Sequence, residues 1–395
     1  MKKIKQSKQV IILILFAIIL NSCTQEKELE FITAQKQNNI VGESFAKEIA
    51  SNFLFNNNTS SKTKIEDKKI VKEIFPVKDE KGETLFYIIN YEKKGFLILS
   101  ADKRISPVFA YSDINEFRTN AKSYSPGLED WLELLKKRIQ TLRINKIEQT
   151  KEIKFEWDSF LSQRDSSDSN LCDEVVEIVG PLLSTTWHQS SGYKTFMPTT
   201  RSCGIFNPVS VGCVPLAIAQ VMKYHNYPTN YNWSDMPDNS GTNSTAFLLK
   251  SIYDVIKNDN AINIGTSCTI GVYSSYNIAR LFRRNFDYST AKRSNYDKET
   301  IKEELRSNRP VILSGGEEGN SVFHTWVCDG LLRKTACYTD PNGNVIASPY
   351  NYTSLSFHMN WGWGGFENGW YNSGSFNPDD LSFNYELEMI HKIKP

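Results

Sequence analysis

The chain has 395 residues, 40% of them hydrophobic and 12% aromatic, enough to form the cores of two ordinary domains. A formal net charge of +1, with no basic run beyond the N-terminus, excludes nucleic acid as a partner on electrostatic grounds. Seven cysteines without a Cys-x-x-Cys pair, and five histidines without matching spacing, offer no zinc site, and nothing in the sequence calls for an organic cofactor.

Residues 1–8 are basic and Val10 to Leu20 form an unbroken apolar run, too short for a spanning helix and flanked as a signal peptide is. Leu20-Asn21-Ser22-Cys23 then resembles a bacterial lipobox, so residues 1–22 are expected to be removed and Cys23 to carry lipid. Such a protein is anchored to a membrane without crossing it, with its folded part on the outer membrane or cell surface. Residues 23–41 are a polar, acidic tether.

Residues 42–145 read as a small α+β unit. Phe45 to Leu54 has helical apolar spacing, Leu85 to Tyr91 and Phe96 to Ser100 form a hairpin across Glu92-Lys93-Lys94-Gly95, and Leu128, Trp131, Leu132, Leu135, Ile139 and Leu142 mark one helix face. The mostly polar stretch 146–174 is expected to be a linker, open to the proteolytic cut that would separate the two domains. The second domain, 175–395, has a helical first half and a strand-rich second half, with strands at Pro310 to Leu313, Val322 to Val327, Ala336 to Tyr338 and Phe357 to Asn360.

The chemistry concentrates in this second domain. Cys213 stands between Gly212 and an apolar helical stretch (Val214, Ala217, Ile218, Val221, Met222), where Pro215 is tolerated in the first turn. A thiol at a helix N-terminus meets the positive end of the backbone dipole, which favours thiolate. Cys203 has no such helix behind it. A histidine can pair with the thiolate and return a proton to a leaving amine, and an asparagine can hold the imidazole in place. His225 is excluded, because twelve residues along a helix is ~18 Å. His324 and His358 both remain, the second sharing a strand face with Asn360. Asp329 lies five residues beyond His324, ~16 Å along a strand, and cannot orient it. Asn360 could instead merely cap its strand, and Trp363 could merely pack. Of the other cysteines, Cys172, Cys203, Cys268, Cys328 and Cys337 are odd in number, so at least one stays unpaired or bonds between chains, and Cys328 reads as a buried free thiol.

Gly212-Cys213-Val214, Met222-Lys223-Tyr224-His225-Asn226-Tyr227-Pro228, the His324 strand ending Asp329-Gly330, and Asn360-Trp361-Gly362-Trp363-Gly364-Gly365 together resemble the streptopain family of papain-like cysteine peptidases. The resemblance runs from about residue 42 to the C-terminus. It implies an α+β, papain-like fold in two parts, with Cys213 on the helical half and His324 and Asn360 on the β half, behind an inhibitory prodomain. It selects His324 over His358 as the base and makes Asn360 the orienting residue. It places Trp361 over their contact and assigns Gln189, in Trp187-His188-Gln189, to the oxyanion, while Trp363 stays open between plain packing and a wall of the substrate cleft. The implied product is a zymogen acting on protein or peptide substrates, with its own prodomain as intramolecular inhibitor. One departure is clear: residues 376–385 lack the family's glycine-rich loop, so gating and substrate preference are not carried over. Two other readings fit less of the sequence: a papain-fold cell-wall amidase, which would be favoured by a peptidoglycan-binding module, and a catalytically dead surface protein, which would need an empty catalytic position.

Overall fold

A computed structural model describes residues 39–53, 55, 69–122, 124, 126–162, 171–190, 192–264, 268–315, 324–339, 345–347, 353–373 and 387–395. Cys23, most of the tether and the stretch 376–385 lie outside the described residues.

The N-terminal unit runs α1 (Glu43–Ser51), β1 (Val71–Lys78), β2 (Thr84–Tyr91), β3 (Phe96–Ser100), β4 (Val108–Ser112) and α2 (Pro126–Ile144). The near-continuous apolar runs of β2 and β3 are explained by burial on both faces. Side chains alternate across these strands. Phe86, Ile88, Phe96 and Ile98 pack with Leu128, Trp131 and Leu135 of α2. Tyr87, Ile89, Tyr91, Leu97 and Leu99 pack on the other side with Ala46, Ile49 and Ala50 of α1.

The expected linker is not a loop throughout. Helix α3 (Lys151–Ser162) and the start of β5 (Leu171–Val179) fall within it. Trp157 anchors the helix, 2% exposed with its Nε1 donating to the Ile105 carbonyl at 2.8 Å, and Ile153, Phe160 and Leu161 pack against the same core. Residues 163–170, between helix and strand, lie outside the described residues.

The helical half of the second domain contains α4 (Cys213–His225), α5 (Asn243–Asn258), the short pair β6 (Ile262–Ile264) and β7 (Ile270–Val272), and α6 (Ile278–Asn285). The β half contains β8 (Thr290–Asn295), α7 (Lys298–Arg306), β9 (Val311–Gly315), β10 (His324–Thr339), β11 (Val345–Ala347), β12 (Thr353–Asn360), β13 (Gly369–Asn372) and β14 (Glu388–Lys394). One large sheet runs β1-β2-β3-β4-β13-β12-β10-β9-β14-β8, with β5 and β11 also pairing β10.

The N-terminal unit is therefore not separately cored, as the sequence had suggested. Strand β4 continues the second domain's sheet through β13, with Tyr111 opposite Trp370 and Ala110 opposite Tyr371. The core beneath α2 also includes Trp326, Cys328, Phe357, Met359, Trp361 and Tyr371 from the second domain. An unpaired edge and an apolar sheet face are covered together, which accounts for the joined packing.

Cys203 and Cys268 are disulfide-bonded across 65 residues, and neither Cys213 nor buried Cys328 is in a disulfide. Cys172 and Cys337 are directly opposite in the β5–β10 register.

Candidate active site

Gly212 turns the chain into α4 with φ +82°, and a Cβ there would stand 2.0 Å from the Ile270 carbonyl oxygen, so the turn admits only glycine. Cys213 is the first residue of α4, half-buried and in no disulfide. Behind it Val214 to Met222 are all buried, which fixes the helix as a central rod of the helical core. Burial pushes the Cys213 thiol above its ordinary value, while the backbone amides of Thr325, Val214 and Cys213 itself pull the other way. The helix terminus thus does not by itself yield a thiolate in this conformation.

His324 opens β10 opposite Gly315. Its neighbours define two faces. Val327 belongs to the core of α4, and Trp326 and Cys328 belong to the core beneath α2. The Cys213 sulfur meets the backbone amide of Thr325, the residue directly after His324. Burial lowers the His324 imidazole to about 4. Burial thus acts against the charged form of both groups, the thiolate and the imidazolium.

Gln189 is 8% exposed, and its carbonyl accepts from the Val211 amide at 3.0 Å, two residues before Cys213. Its Nε2 is buried with no hydrogen-bond partner among the described residues, as is Trp363 Nε1. A buried donor left open costs free energy unless something fills the space opposite it.

Asn360 is 2% exposed and ends β12. Its Nδ2 donates to the Thr185 carbonyl at 2.8 Å, and its Oδ1 accepts from the Gly362 amide at 3.2 Å. The amide thus ties the segment before Gln189 to the glycine-rich turn, and one Oδ1 lone pair is left for a further donor. Trp361 is buried between Trp326 and Tyr371, each ring centroid 5.2 Å away. Trp363 lies against His188, centroids 5.9 Å apart, and the Gly364 amide donates to the Trp187 carbonyl at 3.0 Å. The glycine-rich turn and the Gln189 segment are therefore zipped together along one side of the site.

Three of the remaining histidines, His358, His225 and His188, have other partners. His358 Nδ1 is 2.6 Å from Asp329 Oδ1, and Asp329 Oδ2 accepts from the Leu183 amide at 3.1 Å. His225 sits at the far end of α4, 3.2 Å from the Tyr288 hydroxyl. His188 Nδ1 accepts from the Ser190 amide at 3.1 Å.

Sequence reasoning missed Thr325, whose amide faces the sulfur, and the Asp329–His358 pair. Thr325 carries no chemical signature. The pair was visible only as two separate motif residues on different strands, at Gly330↔His358 in the register.

With this geometry, two family models match the chain: the Peptidase C10 family over residues 187–231 and 229–371, and the Spi protease inhibitor over residues 38–139. The chain belongs to the peptidase C10 family. This C10 peptidase is 26% identical over 363 residues to streptopain of Streptococcus pyogenes, covering 78% of this chain and 80% of that one. It is 25% identical over 368 residues to the thiol protease/hemagglutinin PrtT of Porphyromonas gingivalis, covering 80% of this chain but spanning only 38% of that relative's length. Its fold is similar to that of prointerpain A from Prevotella intermedia, with a TM-score of 0.56 at 20% identity, over 82% of this chain and 99% of that one. The C10 peptidase is a cysteine endopeptidase of α+β, papain-like fold, organised as a zymogen with an inhibitor-like domain ahead of the enzyme. No helix among the described residues is long and apolar enough to cross a membrane.

Proposed function

We propose that this C10 peptidase is exported, anchored through lipid on Cys23, and held latent until its N-terminal unit is cut away. The observation that carries the catalytic part is the unpartnered Gln189 amide, fixed by its own backbone to the segment entering Cys213. In the working enzyme Cys213 Sγ attacks the scissile carbonyl carbon, and the resulting oxyanion takes hydrogen bonds from Gln189 Nε2 and the Cys213 amide. His324 gives its proton to the departing amine. It then takes one from the water that cleaves the thioester, restoring thiolate and imidazolium. Asn360 accepts from the other imidazole nitrogen through its remaining lone pair, with Trp361 covering that contact from water.

Latency rests on the N-terminal unit, whose strand β4 pairs β13 and whose Arg118 lies over Trp363, the ring packed on His188 next to Gln189. Residues 163–170, polar and set between α3 and β5, are the place for the cut, because the hydrogen-bonded segments on either side resist a protease.

Two measurements test this reading. Purified full chain is followed on casein with and without a thiol-directed epoxide, and the intact mass of the Cys213→Ala precursor is followed over time. Latent precursor, activity appearing with a cut between 163 and 170, and full inhibition by the epoxide are expected. An intact precursor as fast as the processed chain would remove latency, and activity surviving Cys213→Ala would remove the nucleophile. An unmodified N-terminus at Cys23 would remove the lipid anchor.

A further inference from the structure

The contact between the N-terminal unit and the glycine-rich turn has an unusual chemical division. Glu367 is fully buried, and it holds φ +59°, a conformation uncommon outside glycine. Its own amide donates to the Glu116 carbonyl at 3.1 Å. Its carboxylate accepts from the Arg118 amide at 3.0 Å, from Arg118 Nε at 2.9 Å and from Arg118 Nη2 at 2.8 Å. The guanidinium lies over the ring of Phe366 at 4.6 Å and over that of Trp363 at 5.3 Å. The carboxylate and both aromatic walls belong to the peptidase domain, and the cation filling them belongs to the inhibitor-like domain.

We infer that Glu367, Phe366 and Trp363 form an arginine-binding site of the peptidase domain, filled in the precursor by Arg118 and by the arginine side chain of another peptide wherever Arg118 is absent. The geometry is selective. A carboxylate meeting Nε and Nη2 edge to edge matches the planar fork of a guanidinium, and the two rings match its flat, weakly hydrated faces. A lysine ammonium offers neither the fork nor the flat face. The demand for a ligand is also physical, because a carboxylate this buried is strongly destabilising once its partner is removed.

The position gives the site a role, which rests on the peptidase reading above. Trp363 packs on His188, next to Gln189. A peptide arginine held there would lie beside the oxyanion donor, so the same pocket that anchors the inhibitor-like domain would select arginine-bearing substrates.

The test needs no catalysis, so its outcome is independent of the peptidase reading. In the full chain carrying Cys213→Ala, Arg118→Ala opens the site, and thermal unfolding is measured with N-acetyl-arginine amide or N-acetyl-lysine amide at millimolar concentration. The arginine compound should raise the midpoint of the Arg118→Ala chain by a few degrees, with the lysine compound well behind. The chain retaining Arg118, and the chain with Arg118→Ala and Glu367→Gln, should show no such difference. Equal shifts with both compounds, or an arginine shift that survives Glu367→Gln, would overturn the site. Should Arg118→Ala not fold, Arg118→Lys decides: a midpoint below that of the parent, raised selectively by the arginine compound, supports the site, and a midpoint equal to the parent's overturns it.

Discussion

The carbonyl of Gln189 accepts a hydrogen bond from the amide of Val211 at 3.0 Å, so the oxyanion candidate and the nucleophile candidate are held by one backbone link. The side-chain Nε2 of Gln189 has no hydrogen-bond partner among the described residues. In the processed enzyme Gln189→Ala should lower kcat by roughly 10²–10³ while changing KM little, the pattern of a donor that acts in the transition state. Gln189→Glu should lose as much, because it keeps the shape and removes the donor. A fall confined to KM would make Gln189 a ground-state contact.

Acid should loosen the precursor. His324 and His225 are each lowered by burial to about 4, and burial also lowers His188 and His391. Between the ordinary histidine value of 6.5 and the lowered one, the unfolded chain binds protons that the folded chain refuses, so stability falls as pH falls through that window. For His324 the loss is at most about 3 kcal/mol. The unfolding midpoint of the Cys213→Ala precursor should drop from pH 7.5 to pH 4.5, and His324→Gln should flatten part of the slope. A midpoint independent of pH would contradict the burial of these rings.

His358 and Asp329 should matter to folding and not to the chemical step. Asp329 is fully buried and receives both His358 Nδ1 and the Leu183 amide. Asp329→Ala leaves two buried polar groups without partners, at about 1–3 kcal/mol each. Denaturant unfolding should show that loss. Processed enzyme that remains folded should keep its kcat on a small peptide, and a large fall in kcat at unchanged stability would restore His358 as a catalytic rival to His324.

The Cys203–Cys268 bridge should steady the nucleophile's approach strand. The Ser210 amide donates to the Cys268 carbonyl at 2.8 Å, and the Ile270 amide donates to Ser210 in return at 3.0 Å. Closing a loop of this length stabilises by at most about 4 kcal/mol through unfolded-chain entropy. Cys203→Ser should lower stability within that limit and speed amide exchange at Val211 and Gly212. Exchange unchanged at those two amides would separate the bridge from the site.

Local sequence determined a good deal of this protein. The Gly212-Cys213 turn into an apolar helix, the β2–β3 hairpin and the α2 stripe were each legible because their signals lie within one element: a forbidden Cβ, a glycine turn, a 3.6-residue period. Helix α3 was not legible within a mostly polar stretch, since the surface that Trp157, Ile153, Phe160 and Leu161 pack against belongs to distant segments, among them the Ile105 carbonyl and Phe53. Only the tertiary structure decided that β4 joins β13, that the amide of Asn360 is engaged with Thr185 and Gly362, and that Arg118 fills a pocket 249 residues away. It also decided which core each face of β10 meets, Val327 on one side and Trp326 and Cys328 on the other. Strand alternation follows from sequence, but which face meets α4 and which meets α2 depends on how the two cores close around one sheet.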